Sequence, residues 1–351
     1  MPCFAIPNVE IKGIAAAVPQ QSESNWDYDR LTKSEQKLLV KTTGVETRRI
    51  APKGMATSDL CYEAAARLMK ELNWEKEDVQ VLIFLSQSRD YYLPATAIIL
   101  QDRLGLSKHC MAFDIGLGCS GFVYGLSVIG SIMSTAGLKR GLLLMGDISS
   151  ATCAYEDKST YPLFGDAGTA TALEFTPDAK AMHFNLNSDG SGYQAIMIPD
   201  GGIRNLVSEA SFEKKQIDEG IERCNLNLAL NGLDVFNFSI REVPPAVNAL
   251  LDRTAKRVED FDYFLMHQAN LLMNETIRKK LKWTKEQVPY SIRDYGNTSS
   301  ASIPLTMVSQ LSKEALSKPM SCCLAGFGVG LSWGIATVET SGLVCPEIIE
   351  L

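Results

Sequence analysis

GLGCSGFVYG, residues 116–125, sets one thiol among glycines directly after the apolar run MAFDI, and its reading decides the fold. Phe113 and Ile115 close a buried strand, while Phe122, Val123, Leu126, Ile129, Ile132 and Met133 recur at helical spacing. Cys119 therefore sits at a strand-to-helix elbow, where Gly116, Gly118 and Gly121 supply the freedom that a sharp bend needs. At a helix start the thiol points outward, and unpaired N–H groups and the positive end of the helix dipole favour thiolate over thiol. The structural alternative is a small buried hydrophobe, a common use of cysteine.

Outward from this elbow, the first half alternates strands and helices: VEIKGIAAAV, a helix at 60–72, VQVLIFLS, a helix at 95–104, MAFDI, the helix after Cys119, and GLLLMG. This order predicts an α/β fold. Leu60, Ala64, Leu68 and Leu72 recur every four residues, with Ser58 or Asp59 as the cap. Residues 115–138 carry no charge and would span a bilayer if wholly helical, but their glycines and serines favour an internal helix buried on all faces.

The pattern restarts after GDAGTATALEF with the alternating strand MHFNLNS. Helices near Val235 and Val247, the strand DYFLM, helices at 271–281 and 303–316, and two closing strands follow. GDAGTATALEF and GVGLSWGIATVE each set a glycine turn before an apolar strand at corresponding late positions. The chain thus reads as two similar halves, 1–178 with the cysteine and 179–351, with residues 202–226 as an exposed, charged excursion.

At 351 residues, 46% of them hydrophobic, the chain is long enough for two sizeable cores. A net charge of -7, without a long basic run or P-loop, argues against nucleic-acid binding. Nine scattered cysteines and a start, MPCFAIPNVEIK, without the marks of a signal peptide indicate a reduced cytoplasmic protein. Cys322 and Cys323 face opposite sides of one strand, which suits neither a disulfide nor a metal site.

A nucleophilic cysteine needs a partner that manages protons or charge, and the sequence offers three histidines. His109 lies in a loop and His183 in an alternating strand, both structural or exposed. His267 follows the apolar strand YFLM and precedes a helix, where α/β proteins place reactive groups, although a satisfied strand-end histidine fits equally. In DYGNTSSAS, Asn297 is either a helix cap or an amide donor toward a developing oxyanion. In GFGVGLSWG, Gly326, Gly328 and Gly330 make a tight loop whose N–H groups can approach a ligand.

GCSGFVYGL, GDAGTATALEF, HQANLLMNETIRKKL, YGNTSSASIPL and GFGVGLSWG, in this order, together with TTGVETRRIA and LPATAIILQDRLG, resemble the β-ketoacyl-acyl-carrier-protein synthase III family of the thiolase superfamily. The resemblance spans essentially the whole chain. It implies a thiolase-like five-layered αβαβα fold of two fused halves, a homodimer, and condensation of an acyl-CoA with a malonyl-acyl carrier protein in fatty-acid or related lipid and polyketide synthesis.

In that reading Cys119 takes the acyl group while the backbone N–H groups of Cys119 and Val329 hold the oxyanion. His267 and Asn297 then stabilise the enolate formed by decarboxylation, and no metal or redox cofactor is called for. Leu93, Gly328 and Gly330 fall at pocket positions, and Arg278, Lys279 and Lys280 form a basic cluster that serves carrier docking or is simply a solvated helix face.

Several family positions differ. Leu38 and Thr42 stand where the family has a tryptophan and an arginine against the CoA nucleotide, and Leu272 replaces the arginine after HQANL. An arginine fork makes bidentate phosphate contacts that a lysine does not reproduce. Leu93 replaces a phenylalanine that reaches across the dimer, which points to a starter other than acetyl, longer or branched. Three other readings share these residues: a thiolase-fold acyltransferase acting on an alcohol or amine, a Cys-His-Asn hydrolase, and a non-catalytic subunit.

Overall fold

Most of the strands gather into two large sheets with helices on both sides of each, described over residues 3–351 in a computed structural model. The first sheet runs in the order Ile349–Glu350, Val9–Val18, Ala167–Phe175, Arg140–Asp147, Val79–Leu85, Met111–Ile115. The second runs Cys3–Ile6, Met182–Ser188, Ser332–Thr340, Met320–Gly328, Tyr263–Met266.

From Val9–Val18 in one and Met182–Ser188 in the other, both sheets show two antiparallel pairings and then a parallel one. The echo between GDAGTATALEF and GVGLSWGIATVE corresponds to the second strand of each such set. The chain ends are exchanged: Cys3–Ile6 joins the second sheet and Ile349–Glu350 the first.

Alternation along the strands builds three stacked cores. In Val79–Leu85, Ile83 and Leu85 face inward to Phe122 and Leu126, while Leu82 and Phe84 face outward to Leu60 and Leu68. The helix Gly121–Ala136 lies between the sheets, its Phe122, Val123, Leu126, Ile129 and Met133 fully buried, with Ile303 and Met307 of Ser302–Gln310 in the same layer. The long helix Gly232–Thr254 covers the outer face of the second sheet through Val243, Val247 and Leu250. Cys322 points into the inner core and Cys323 into the outer one. These are the five layers expected from the resemblance.

Several local expectations need correction. The helix read at 60–72 is Thr57–Glu71, and its cap comes from Asp59, whose Oδ2 accepts the Ala56 N–H at 2.9 Å. Ser58 instead donates to Asp90. The two helices near Val235 and Val247 are one, because a single buried stripe continues past Pro244 and Pro245. The helix read at 303–316 is two, Ser302–Gln310 and Lys313–Leu316, the second capped by the Ser312 hydroxyl.

The charge-free stretch at 115–138 yields a 16-residue helix, and among the described residues no helix is long and apolar enough to cross a membrane. Residues 202–226 are mostly exposed and include the hairpin Lys215–Asp218 with Ile221–Arg223.

Because Phe122 is fully enclosed between the sheets, Phe122→Ala is expected to cost about 3–5 kcal/mol. Chemical denaturation of the wild type and the variant, compared at equal slope, checks this.

Candidate active site

Most of the chemically active groups lie at or just beyond the C-terminal end of a parallel strand, while Asn297 and Ser299 come from the segment after the short helix Ile292–Tyr295. Ser86 and Gln87 follow Val79–Leu85, and Cys119 follows Met111–Ile115. Asp147 closes Arg140–Asp147, His267 follows Tyr263–Met266, and Gly328 and Val329 end Met320–Gly328. Strand ends in α/β sheets open toward ligands. Here the two sheets direct these ends to one place.

Cys119 sits in the elbow before Gly121–Ala136, which is closed by the Gly121 N–H donating to the Gly118 carbonyl at 2.7 Å. Ser120 bonds to Ser332 at 2.7 Å, which ties the elbow to the second sheet. Gly328, at φ +152°, passes so close that a Cβ there would stand 2.6 Å from Cys119 Cβ and 3.0 Å from Sγ. Only glycine permits this approach.

The thiol is buried, and desolvation pushes its pKa up to about 11. The Val329 N–H, the Ser299 hydroxyl and the N–H of Cys119 itself pull the other way, while the charge of Asp147 adds to the rise. The helix start therefore does not produce a resting thiolate: burial outweighs the dipole.

His267 is held by its N–H donating to the Ala325 carbonyl at 2.8 Å and by Asn274 Nδ2 donating to its carbonyl at 3.0 Å. Nδ1 meets the Ser302 hydroxyl at 2.8 Å, and the ring stands edge-on to Phe327 at 5.6 Å and 87°. Burial drives its pKa down to about 3, with only the Ser299 backbone opposing. The imidazole is neutral at physiological pH.

Asn297 is anchored by backbone bonds to Leu163 and Gly165, and its Oδ1 accepts the Ser299 N–H at 2.9 Å. The cap-like bond uses the oxygen and leaves the amide N–H₂ to the cavity.

Cys119, His267 and Asn297 line one cavity of about 400 Å³, together with Gly328 and Val329. Its walls are mostly apolar, including Leu163, Phe164 and Phe327 and, from the two flanks of the 202–226 excursion, Ile196, Met197, Leu228 and Leu230. Sequence reasoning missed these walls, and also missed Asp147 and Ser299 in the lining. A carboxylate closing the apolar run LLLMGD was the one available signal for Asp147.

Other expected residues lie elsewhere. Leu93 is 86% exposed and outside the cavity of this chain, and Gly330 lies at the turn beyond it. Leu38 and Leu272 are exposed. Arg278 does not join an exposed basic cluster: it is buried, forked onto Glu275 and bonded to the Trp283 carbonyl. Lys279 is exposed, and Lys280 donates to the Ile240 carbonyl. His109 is exposed, whereas His183 is half-buried in its strand, with its pKa lowered by burial and by Lys256 and Arg253.

A thiol at the start of the buried helix, facing an imidazole and a carboxamide across two sheets of matching topology, defines a condensing acyltransferase of the thiolase superfamily. Residues 113–190 match the family 3-oxoacyl-[acyl-carrier-protein (ACP)] synthase III, and residues 251–340 match 3-oxoacyl-[acyl-carrier-protein (ACP)] synthase III C terminal. A β-ketoacyl-[acyl-carrier-protein] synthase III of Clostridioides difficile is 31% identical over 94% of this chain and 97% of its own. One from Caldanaerobacter subterraneus is 32% identical over 94% and 97%. The crystal structure of a 3-oxoacyl-(acyl-carrier protein) synthase from Burkholderia xenovorans superimposes with a TM-score of 0.93 at 37% identity, over 99% of both chains. The chain belongs to the β-ketoacyl-[acyl-carrier-protein] synthase III family.

With a thiol pKa near 11, the thiolate fraction is small at neutral pH and grows about tenfold per pH unit below that value. The ultraviolet thiolate absorbance lost on Cys119→Ala should be negligible at about pH 7 and rise steeply only above about pH 9. A full signal at neutral pH would show a resting ion pair instead.

Proposed function

We propose that Cys119 accepts an acyl group from an acyl-CoA and passes it to the carbanion formed by decarboxylation of a malonyl-acyl carrier protein. The product is a 3-oxoacyl thioester. The reading is carried by one observation: Cys119, His267 and Asn297, from three separate segments, share one apolar cavity.

Attack by Sγ on the thioester creates an oxyanion, for which the N–H groups of Cys119 and Val329 are the donors. Both already bear on the sulfur, and fixed, preorganised donors stabilise developing charge more than mobile water does. Release of the donor thiol leaves acyl-Cys119.

In the second half-reaction, loss of carbon dioxide puts negative charge on the malonyl thioester oxygen. In the tautomer whose Nδ1 accepts from the Ser302 hydroxyl, 2.8 Å away, Nε2 of His267 carries the proton and donates to that oxygen. Asn297 Nδ2 donates beside it. A pKa near 3 suits this role, since the ring stays a neutral donor and does not take a proton that would quench the carbanion.

Apolar walls of this size fit a starter longer than acetyl or branched. We place a second copy of the chain against the half-exposed strand Met111–Ile115 and the exposed Tyr91, Tyr92 and Leu93, so that Leu93 would close the partner's pocket. Lys279 and Lys280 remain the candidate contacts for an acidic carrier. Nine unpaired cysteines fit a reducing, cytoplasmic setting, and residues 1–178 and 179–351 act as the two halves.

Intact-mass analysis after incubation with a panel of acyl-CoAs should give one acyl adduct per chain in the wild type and none in Cys119→Ala, the preferred mass naming the starter. Asn297→Ala should still acylate but release carbon dioxide from malonyl thioester about 10²–10³-fold more slowly. Acylation without any carbon dioxide release by the wild type would turn the reading toward transfer to an alcohol or amine. Equal use of acetyl-CoA and longer donors would remove the starter preference.

A further inference from the structure

A neutral imidazole carries its proton on one ring nitrogen and keeps a lone pair on the other. Donation to the malonyl thioester oxygen needs the His267 proton on Nε2, so whatever lies behind Nδ1 decides which task the ring performs.

Nδ1 stands 2.8 Å from the hydroxyl of Ser302, the first residue of the helix Ser302–Gln310, and both residues are buried. The hydroxyls deeper in that layer are already committed. Thr306 Oγ1 donates to the Ser302 carbonyl at 2.7 Å, which uses its proton, so in the 2.7 Å contact of Ser291 with Thr306 it is Ser291 that donates. Ser302 Oγ has Nδ1 of His267 as its one hydrogen-bond partner among the described residues.

The frame around the ring is tied to the same group of residues. The Ser291 N–H donates to Gln268 Oε1 at 3.2 Å, and Gln268 Nε2 donates to the Met266 carbonyl at 2.9 Å. Gln268, Ser291 and Thr306 are all buried, so no solvent competes for these bonds. The peptides on either side of His267 are thus fixed together with the start of the helix that carries Ser302.

Two proton arrangements fit the 2.8 Å contact. With the proton on Nδ1, the ring donates to Ser302 Oγ, and the Ser302 hydroxyl proton is left enclosed without an acceptor. With the proton on Nε2, the Ser302 hydroxyl donates to Nδ1, and each hydroxyl of Ser291, Thr306 and Ser302 has an acceptor. A buried donor without a partner loses its hydration and gains nothing in exchange. The second arrangement is therefore the stable one.

We propose that Ser302 is a positioning residue for the condensation: its hydroxyl holds Nδ1 as an acceptor, leaving Nε2–H for the cavity that His267 lines. The ring then has no lone pair there with which to take the Cys119 proton. It serves as a donor in the second half-reaction and stays out of the first.

This inference rests on the reading that His267 donates to the malonyl thioester oxygen. NMR of isotope-labelled histidine ring nitrogens in the resting, substrate-free enzyme reads the tautomer directly, the His267 signal being the one lost in His267→Gln. A proton on Nε2 is expected, and a proton on Nδ1 overturns the role of Ser302. The parent reading fails by a separate result, a wild type that acylates Cys119 but releases no carbon dioxide.

Ser302→Ala should slow carbon dioxide release by the acylated enzyme about 10–10²-fold, short of the full loss of a donor. Acylation from a saturating acyl-CoA should change less than about threefold. The variant also frees Nδ1 to take a proton, because the hydroxyl had favoured the neutral ring. The acid limb of carbon dioxide release should consequently move to higher pH. Cys119 and Asp147, the other titratable groups lining the cavity, are unchanged in the variant, and no charged side chain bears on the ring among the described residues.

Ser302→Thr keeps the hydroxyl and should restore both the rate and the limb. A folded Ser302→Ala with wild-type carbon dioxide release overturns the role, as does an equal fall in both half-reactions with the acid limb unmoved. Should Ser302→Ala not fold, the tautomer of the wild type decides alone.

Discussion

The helix Gly121–Ala136 carries no charged side chain and lies between the sheets, its C-terminal end reaching solvent at Thr135 and Ala136 and its N-terminal end buried beside the cavity. That end emerges where the parallel strands of both sheets terminate. Cys119 is consequently presented at a seam rather than at a surface. The close pass of Gly328 and the Ser120–Ser332 bond lock the elbow of one sheet to the turn of the other. Placement of the nucleophile and union of the two sheets are thus one packing problem.

The same burial decides the electrostatics. Removing water penalises whichever form is charged, so it raises the Cys119 thiol, lowers the His267 imidazole and raises Asp147. A thiolate–imidazolium pair, the usual solution in cysteine hydrolases, is disfavoured on both sides at once. What is built instead is a neutral thiol, a neutral imidazole, and a carboxylate whose charge is spread over backbone N–H and hydroxyl donors. Charge is admitted only where donors already stand waiting for it.

Much of this was legible in the chain. The elbow around Cys119, the buried helix after it and the opposite facing of Cys322 and Cys323 follow from periodicity and glycine placement, which are local signals. Less legible were features set by tertiary contact. Arg278 looks like a surface cation in sequence, yet its fork is taken up by Glu275 and the Trp283 carbonyl. The outward thiolate expected of Cys119 failed because a helix-dipole argument knows nothing of the second sheet. The helices read separately near Val235 and Val247 are one, because a continuous buried stripe runs past Pro244 and Pro245. Asp147 and Ser299 matter only through neighbours distant in sequence, and no spacing rule announces them.

A largely apolar cavity also answers a chemical demand of the proposed condensation. A carbanion next to a thioester is destroyed by any nearby acid, water included, so the site must exclude solvent while still donating hydrogen bonds to the thioester oxygen. The apolar walls from Ile196, Met197, Leu228, Leu230 and Phe327 serve the first need, and His267 and Asn297 the second. A protonated histidine would satisfy the second need and violate the first. Depression of the His267 pKa is therefore part of the chemistry rather than a by-product of packing: it keeps a donor in place without keeping an acid there.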